Sequence, residues 1–212
     1  MTLRMRPIRC PAILLAAIVL LAAGLPGQAV ARRAGDVRPA VSAHFDSRAD
    51  RTRIAQRVGN SCMMMILPQA WSIASQDERR IVLSASDGRE LEVVLRPARA
   101  ARDLPQADPA SRDAALLQQD HEGLFGRPAQ AATLVSLPAG AKRWTATWID
   151  ASLPGASREV TLDTLIVPFS DEWVLELSLA QAGTPAAYEQ LMTELLTGLR
   201  RESADACSSG AP

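Results

Sequence analysis

The stretch EVTLDTLIVPFSDEWVLELSLAQAGTPAAYEQLMTELLTGLRR, residues 159–201, decides the architecture of this chain. Within it, Trp173, Leu175, Leu177 and Leu179 alternate with Val174, Glu176 and Ser178, the period-two pattern of a strand with one buried face. The run before it, 160–167, is β-branched and apolar and stops at Pro168, which has no N–H to give a ladder. Thr184-Pro185 then supplies an N-cap hydroxyl followed by proline at the first helical position. Tyr188, Leu191, Met192, Leu195, Leu196 and Leu199 recur at three- and four-residue steps and make a complete helical stripe. A hairpin followed by a helix with a matching apolar face predicts a sheet covered by a helix over 185–201.

Further strands are expected on the N-terminal side of this unit. Residues 80–86 and 89–95 flank Asp87-Gly88, a pair that suits the positive φ values of a two-residue hairpin turn. An earlier apolar run, 62–67, ends at Pro68, and Ser72-Ile73-Ala74 returns from the turn that follows. Two later runs, 132–137 and 143–149, complete the set, and in the second Trp144, Ala146 and Trp148 share one face. Asp108-Pro109 caps a helix over about 110–122, stopped by Gly123, with a modest apolar face at Leu116 and Leu117. Strands joined by short turns, with helices late in the chain, predict an α+β fold. Its centre is an antiparallel β-sheet of about seven strands flanked by helices, including a packed C-terminal helix.

Residues 1–31 have the composition of a secretory signal. Arg4, Arg6 and Arg9 precede an apolar run over 12–25, and Ala29-Val30-Ala31 offers a small-x-small cleavage site. The apolar run is shorter than the ~20 residues that a membrane span needs. Cys10 lies before it, where a lipoprotein cysteine would follow. The expected product is residues 32–212, periplasmic or secreted, with no stable membrane insertion. Removing three of the 23 basic residues and none of the 23 acidic ones leaves a formal net charge of −3. That balance offers no electrostatic footing for nucleic acid or an anionic membrane.

Within the mature chain, residues 32–60 carry Arg32, Arg33, Arg38, Arg48, Arg51, Arg53 and Arg57 against Asp36, Asp46 and Asp50. They are expected to form a polar, locally basic, partly disordered arm with a helical turn or two near 51–58. Residues 61–202 make a single α+β domain, and 203–212 a flexible tail. Cys62 and Cys207 remain after cleavage, and an even count in an exported chain favours a disulfide. The alternative is two unrelated thiols.

The order of elements resembles the PsbP-like family, named for an extrinsic protein of the oxygen-evolving photosystem. The resemblance runs from an opening strand ending in Ile66-Leu67-Pro68-Gln69-Ala70-Trp71, through a series of hairpins, to a last strand over 173–179 feeding a long terminal helix. It implies an antiparallel sheet flanked by helices and a non-catalytic accessory or binding role.

Chemistry-bearing residues are few. The two histidines are His44 and His121, and the second sits in Asp120-His121-Glu122 near a helix end. A metalloprotease helix would need a second histidine four residues on, where Phe125 stands. No nucleophile elbow, phosphate-cradling glycine loop or dinucleotide fingerprint occurs. Cys62-Met63-Met64-Met65 offers soft ligands that suit Cu(I), but strand alternation splits them between two faces, and methionine is an ordinary core filler. The leading expectation is an exported binding or accessory protein that acts through a surface, one form being an immunity-type inhibitor, with another envelope protein as partner. No catalytic residue, cofactor or metal ligand is assigned. The alternatives are a periplasmic hydrolase with a site near Asp120, His121 and Glu122, and a copper binder at Cys62 and the methionines. Mass spectrometry of the envelope fraction should find a chain starting at Arg32 or within a residue or two of it; a full-length membrane-bound product would contradict export.

Overall fold

The computed structural model describes residues 41–150, 153–180 and 183–208; the expected signal at 1–31 lies outside the described residues. Eleven strands and two α-helices occur among the described residues, arranged as two antiparallel sheets. The larger sheet has seven strands: β4 (Trp71–Gln76), β5 (Arg80–Ala85), β6 (Glu90–Pro97), β7 (Ala131–Ser136), β8 (Lys142–Ile149), β9 (Glu159–Pro168) and β10 (Trp173–Ala180). Their spatial order is β4-β5-β6-β10-β9-β8-β7, so β10 closes the gap between the first three strands and the last three. The smaller sheet orders β1 (Ser42–Asp46), β2 (Arg51–Val58), β3 (Ser61–Pro68) and β11 (Arg200–Ser203) as β1-β2-β3-β11. Helix α1 (Pro109–Phe125) covers one face of the large sheet. On the other face lies a core shared with α2 (Pro185–Gly198) and the small sheet.

Both helix starts follow the capping chemistry of their sequences. Asp108 accepts from the Ser111 N–H at 2.9 Å and Thr184 from the Ala187 N–H at 3.2 Å, each before a proline in the first turn. Helix α1 runs two residues past Gly123 and is capped by Gly126, whose φ of 66° is the left-handed conformation that glycine adopts without strain. The β5–β6 hairpin is one residue longer than Asp87-Gly88 alone predicts. Ala85 donates to the Arg89 carbonyl at 2.9 Å across a three-residue loop, with Gly88 at φ 87°.

The arm expected over 32–60 is corrected from residue 42 onward, where the chain forms β1 and β2. Thr52, Ile54, Gln56 and Val58 point inward and are buried, while Arg51, Arg53 and Arg57 point out. This is strand alternation disguised by two polar inward residues. Thr52 is the reason one of them belongs inside. Its hydroxyl donates to the Gln69 carbonyl at 2.7 Å and accepts from the Trp71 N–H at 2.9 Å, bracing the corner where the chain leaves one sheet for the other. Strand β10 is likewise corrected: it is buried on both faces rather than one, because α1 covers the side that carries Glu176.

The C-terminal end also differs from expectation. Helix α2 stops at Gly198, and Arg200–Ser203 joins the small sheet beside β3, with Arg201 opposite Met63. Gly198 makes this possible, since a β-carbon there would stand 2.5 Å from the Ile66 carbonyl oxygen on β3. Residues 204–207 then form a short turn that ends in a disulfide between Cys207 and Cys62, with α-carbons 5.5 Å apart. The expected tail at 203 is thus ordered structure as far as the disulfide. At the other end of α2, Arg143 of β8 pairs with Asp163 of β9 and donates to Glu189 at 2.7 Å, its guanidinium 5.2 Å from the Tyr188 ring.

Leu191, Met192 and Leu195 of α2 enter the core with Met63 and Met65 of β3 and Leu165, Leu175 and Leu177 of the large sheet. No helix among the described residues is long and apolar enough to cross a membrane. Leu195 is fully buried, so Leu195→Ala should destabilise the protein by ~2–5 kcal/mol, measured by urea denaturation. A loss of a few tenths would mean that α2 does not carry this core.

Candidate functional site

Helix α1 lies over Trp144, Trp148, Ile166 and Val174, and it meets them with Ala110, Ala114 and Leu117. Asp113 occupies the same helical face, and burial of a carboxylate there requires a partner. Two partners come from the sheet below. Val174 stands opposite Arg96 and Glu176 opposite Val94, so Arg96 and Glu176 are diagonal neighbours on the face that α1 covers. The Arg96 Nε donates to Glu176 and lies 3.3 Å from Asp113 Oδ1, while its Nη1 reaches Asp120 Oδ2 at 3.0 Å. The Asp113 and Glu176 side chains are only 2% and 7% exposed, against 52% for Asp120.

One guanidinium cannot neutralise three carboxylates. Burial first, and the Glu176 charge second, push the Asp113 carboxyl up to about 8, against the opposing pull of Arg96. Asp113 Oδ2 has no donor within reach, and the neighbouring carboxylate can serve it only when Asp113 carries a proton. The cluster is therefore a neutral Asp113 beside an Arg96–Glu176 pair, with Asp120 closing its outer rim.

Beside α1 the uncovered part of the same sheet face floors a cleft of about 500 Å³. Arg80, Glu92, Thr164, Glu176 and Ser178 line its floor, and Leu117 and His121 form a wall. These groups satisfy one another. Arg80 pairs with Glu92, Glu176 with Arg96, and the hydroxyls of Thr164 and Ser178 are 2.9 Å apart.

The residues singled out from the sequence fall as follows. Asp120 pairs with Arg96, and Glu122 accepts from the Gln118 amide at 2.6 Å. His121 lies between them with its ring centroid 5.5 Å from that of Trp144 and 5.8 Å from that of Trp148. Its Nδ1 donates to the Leu117 carbonyl at 2.9 Å, which places the free lone pair of a neutral ring on Nε2. Consecutive helical residues diverge by about 100°, and the three side chains take separate partners rather than one substrate position. No hydroxyl or thiol among the described residues is hydrogen-bonded to His121. Cys62 and Met64 do share one face of β3, with Met63 and Met65 on the other, as alternation requires. The disulfide occupies Cys62, which removes the thiolate that a soft-metal site would use. Among the described residues no three His, Cys, Asp or Glu side chains are grouped to hold a metal.

Arg96, Asp113 and Glu176 escaped the sequence reading because their pairing joins positions 80 residues apart. Two signals were present: an aspartate inside the apolar face of α1, and a glutamate in the middle of a valine- and leucine-rich strand. Comparison with known protein families, with curated proteins and with solved structures returns no match.

The raised Asp113 carboxyl predicts how stability follows pH. In the unfolded chain Asp113 loses its proton near 3.8, whereas in the folded chain it keeps it up to about 8. Between those values the folded state binds more protons, so this group's contribution to stability falls as pH rises from about 4 to about 8. Asp113→Asn should remove that decline, raising stability at pH 8 relative to pH 5 by comparison with the natural chain. Parallel denaturant curves at the two pH values would test it, and an identical slope in both proteins would refute the assignment.

Proposed function

We propose that the chain is an exported binding or accessory protein that acts through a surface, and that this surface is the free edge of β7, which accepts an extended strand from an envelope partner. The apolar leader and the disulfide support export, since such bonds persist in oxidising compartments. The accessory role is also what the PsbP-like resemblance implies.

The observation that carries the reading is the contrast among the four sheet edges. An exposed edge offers unpaired N–H and C=O groups to any passing strand, and proteins ordinarily blunt it with charge, irregularity or a cover. Strand β11 carries Arg200, Arg201 and Glu202. Strand β4 has a register shift between Ile73 and Ser75, and β1, which approaches it, is five residues long and carries Asp46. Strand β7 reads AATLVS, with no charge and no proline, and all six residues are exposed. Leu134 and Val135 are 43% and 53% exposed and point to opposite faces, which suits a partner strand with apolar side chains on both. Strand addition of this kind draws affinity from main-chain hydrogen bonds and selectivity from alternate side chains.

A photocrosslinking residue at Thr133 should capture a discrete second polypeptide in the envelope, and one at Ser72 on the irregular β4 edge should not. Leu134→Lys and Val135→Lys should each abolish the adduct together with whatever phenotype gene deletion produces, with the protein still folded. An adduct of twice the chain's mass would identify a second copy as the occupant instead. Equal or absent crosslinking at the two positions would end the reading.

A further inference from the structure

A second depression differs in kind from the polar cleft. It lies between the C-terminal half of α2, the end of β9, the β7–β8 turn and the start of β11, and encloses about 500 Å³. Leu196 and Leu199 line one side and Val167 and Phe169 the other. Leu196, Leu199 and Val167 pack against the core but are only half-buried, so part of each side chain faces the depression. Arg200 and Arg201 stand at one end, and no acidic side chain lines the depression. Arg201 is anchored by donating through Nη1 to the Phe169 carbonyl at 3.3 Å, one of the five N–H groups that a guanidinium carries. Arg200 is exposed and has no ion-pair partner among the described residues.

We infer that this groove binds an amphipathic anion, an alkyl chain ending in a carboxylate. The alkyl body would cover the half-buried leucines and valine, gaining the hydrophobic energy that the fold leaves unclaimed there. Arg200 and Arg201 leave β11 on opposite faces, so the carboxylate would lie between their two positive charges rather than be gripped by both forks, with no competing acid. A cationic amphiphile gains the same apolar contact but sets like charges together, so charge sign separates this site from a merely greasy surface. The groove is built from four segments between residues 137 and 201. Gly198 is what lets α2 end close enough to β3 for β11 to bring its two arginines there.

Isothermal titration of the full exported chain with decanoate, below its micellar concentration, tests the inference. Decanoate should bind saturably at one site, and decyltrimethylammonium about tenfold more weakly or worse. Arg200→Glu, a change at an exposed position, should weaken decanoate about tenfold or more, the loss expected for a charge-assisted contact. Leu196→Trp should fill the groove and abolish binding, with circular dichroism confirming the fold; if that variant does not fold, the charge-reversal arm stands alone. Absence of saturation, equal affinity for the two amphiphiles, a smaller loss in Arg200→Glu, or unchanged binding in a folded Leu196→Trp variant would each overturn it.

Discussion

A carboxylate in the middle of a strand buried on both faces must either find a cation or hold a proton, and the helix-covered side of this protein is arranged around that constraint. Glu176 sits at the centre of β10, the strand that joins the two halves of the large sheet. Arg96, a diagonal neighbour on β6, supplies the cation, and Asp113 of α1 completes the cluster in its protonated form. Helix α1 is therefore set over the sheet by more than the apolar contacts of Trp144 and Trp148. Breaking one member of such a cluster is expected to cost more than the cluster contributes as a whole, because the remaining charges stay buried.

The opposite face is held by a different logic. There the two sheets share one largely apolar core with α2. Thr52 braces the corner between β3 and β4 through both its donor and its acceptor. At the far end of β3, the disulfide closes a loop of 145 residues and fixes the last described turn to the strand where the small sheet begins to pair with β11. The chain model of loop closure assigns such a long crosslink about 4–5 kcal/mol at most.

Because Arg80 is paired with Glu92, Arg96 with Glu176, and the Thr164 hydroxyl with that of Ser178, the polar cleft beside α1 offers a ligand little that is not already engaged. The unspent capacity lies elsewhere, in the main-chain groups along β7 and in the apolar groove that ends at Arg200 and Arg201. Both are features of surface supply rather than of catalytic geometry. They are the features on which the proposed binding role rests.

The period-two and three-and-four spacings were enough to locate most strands and both helices, since these patterns follow from local geometry and from which face meets water. The hairpin at Gly88, the caps at Asp108 and Thr184, and the burial of Leu195 were legible for that reason. Strand β2 was not, because Thr52 and Gln56 stand at inward positions, where a polar residue breaks the apolar alternation; the Thr52 partners appear only in the fold. The last residues of the α2 pattern were misread as helix, because Leu199 continues the helical spacing while the pairing of Arg200 with Met64 opposes it. Sequence alone determined the α+β class, the apolar faces and the pair of cysteines available for bonding. Tertiary structure decided which sheet each strand joined, which carboxylate met Arg96, and which edge and groove were left open. Those outcomes depend on residues brought together from separate elements, 80 positions apart in the case of Arg96 and Glu176, and no local pattern encodes such a meeting.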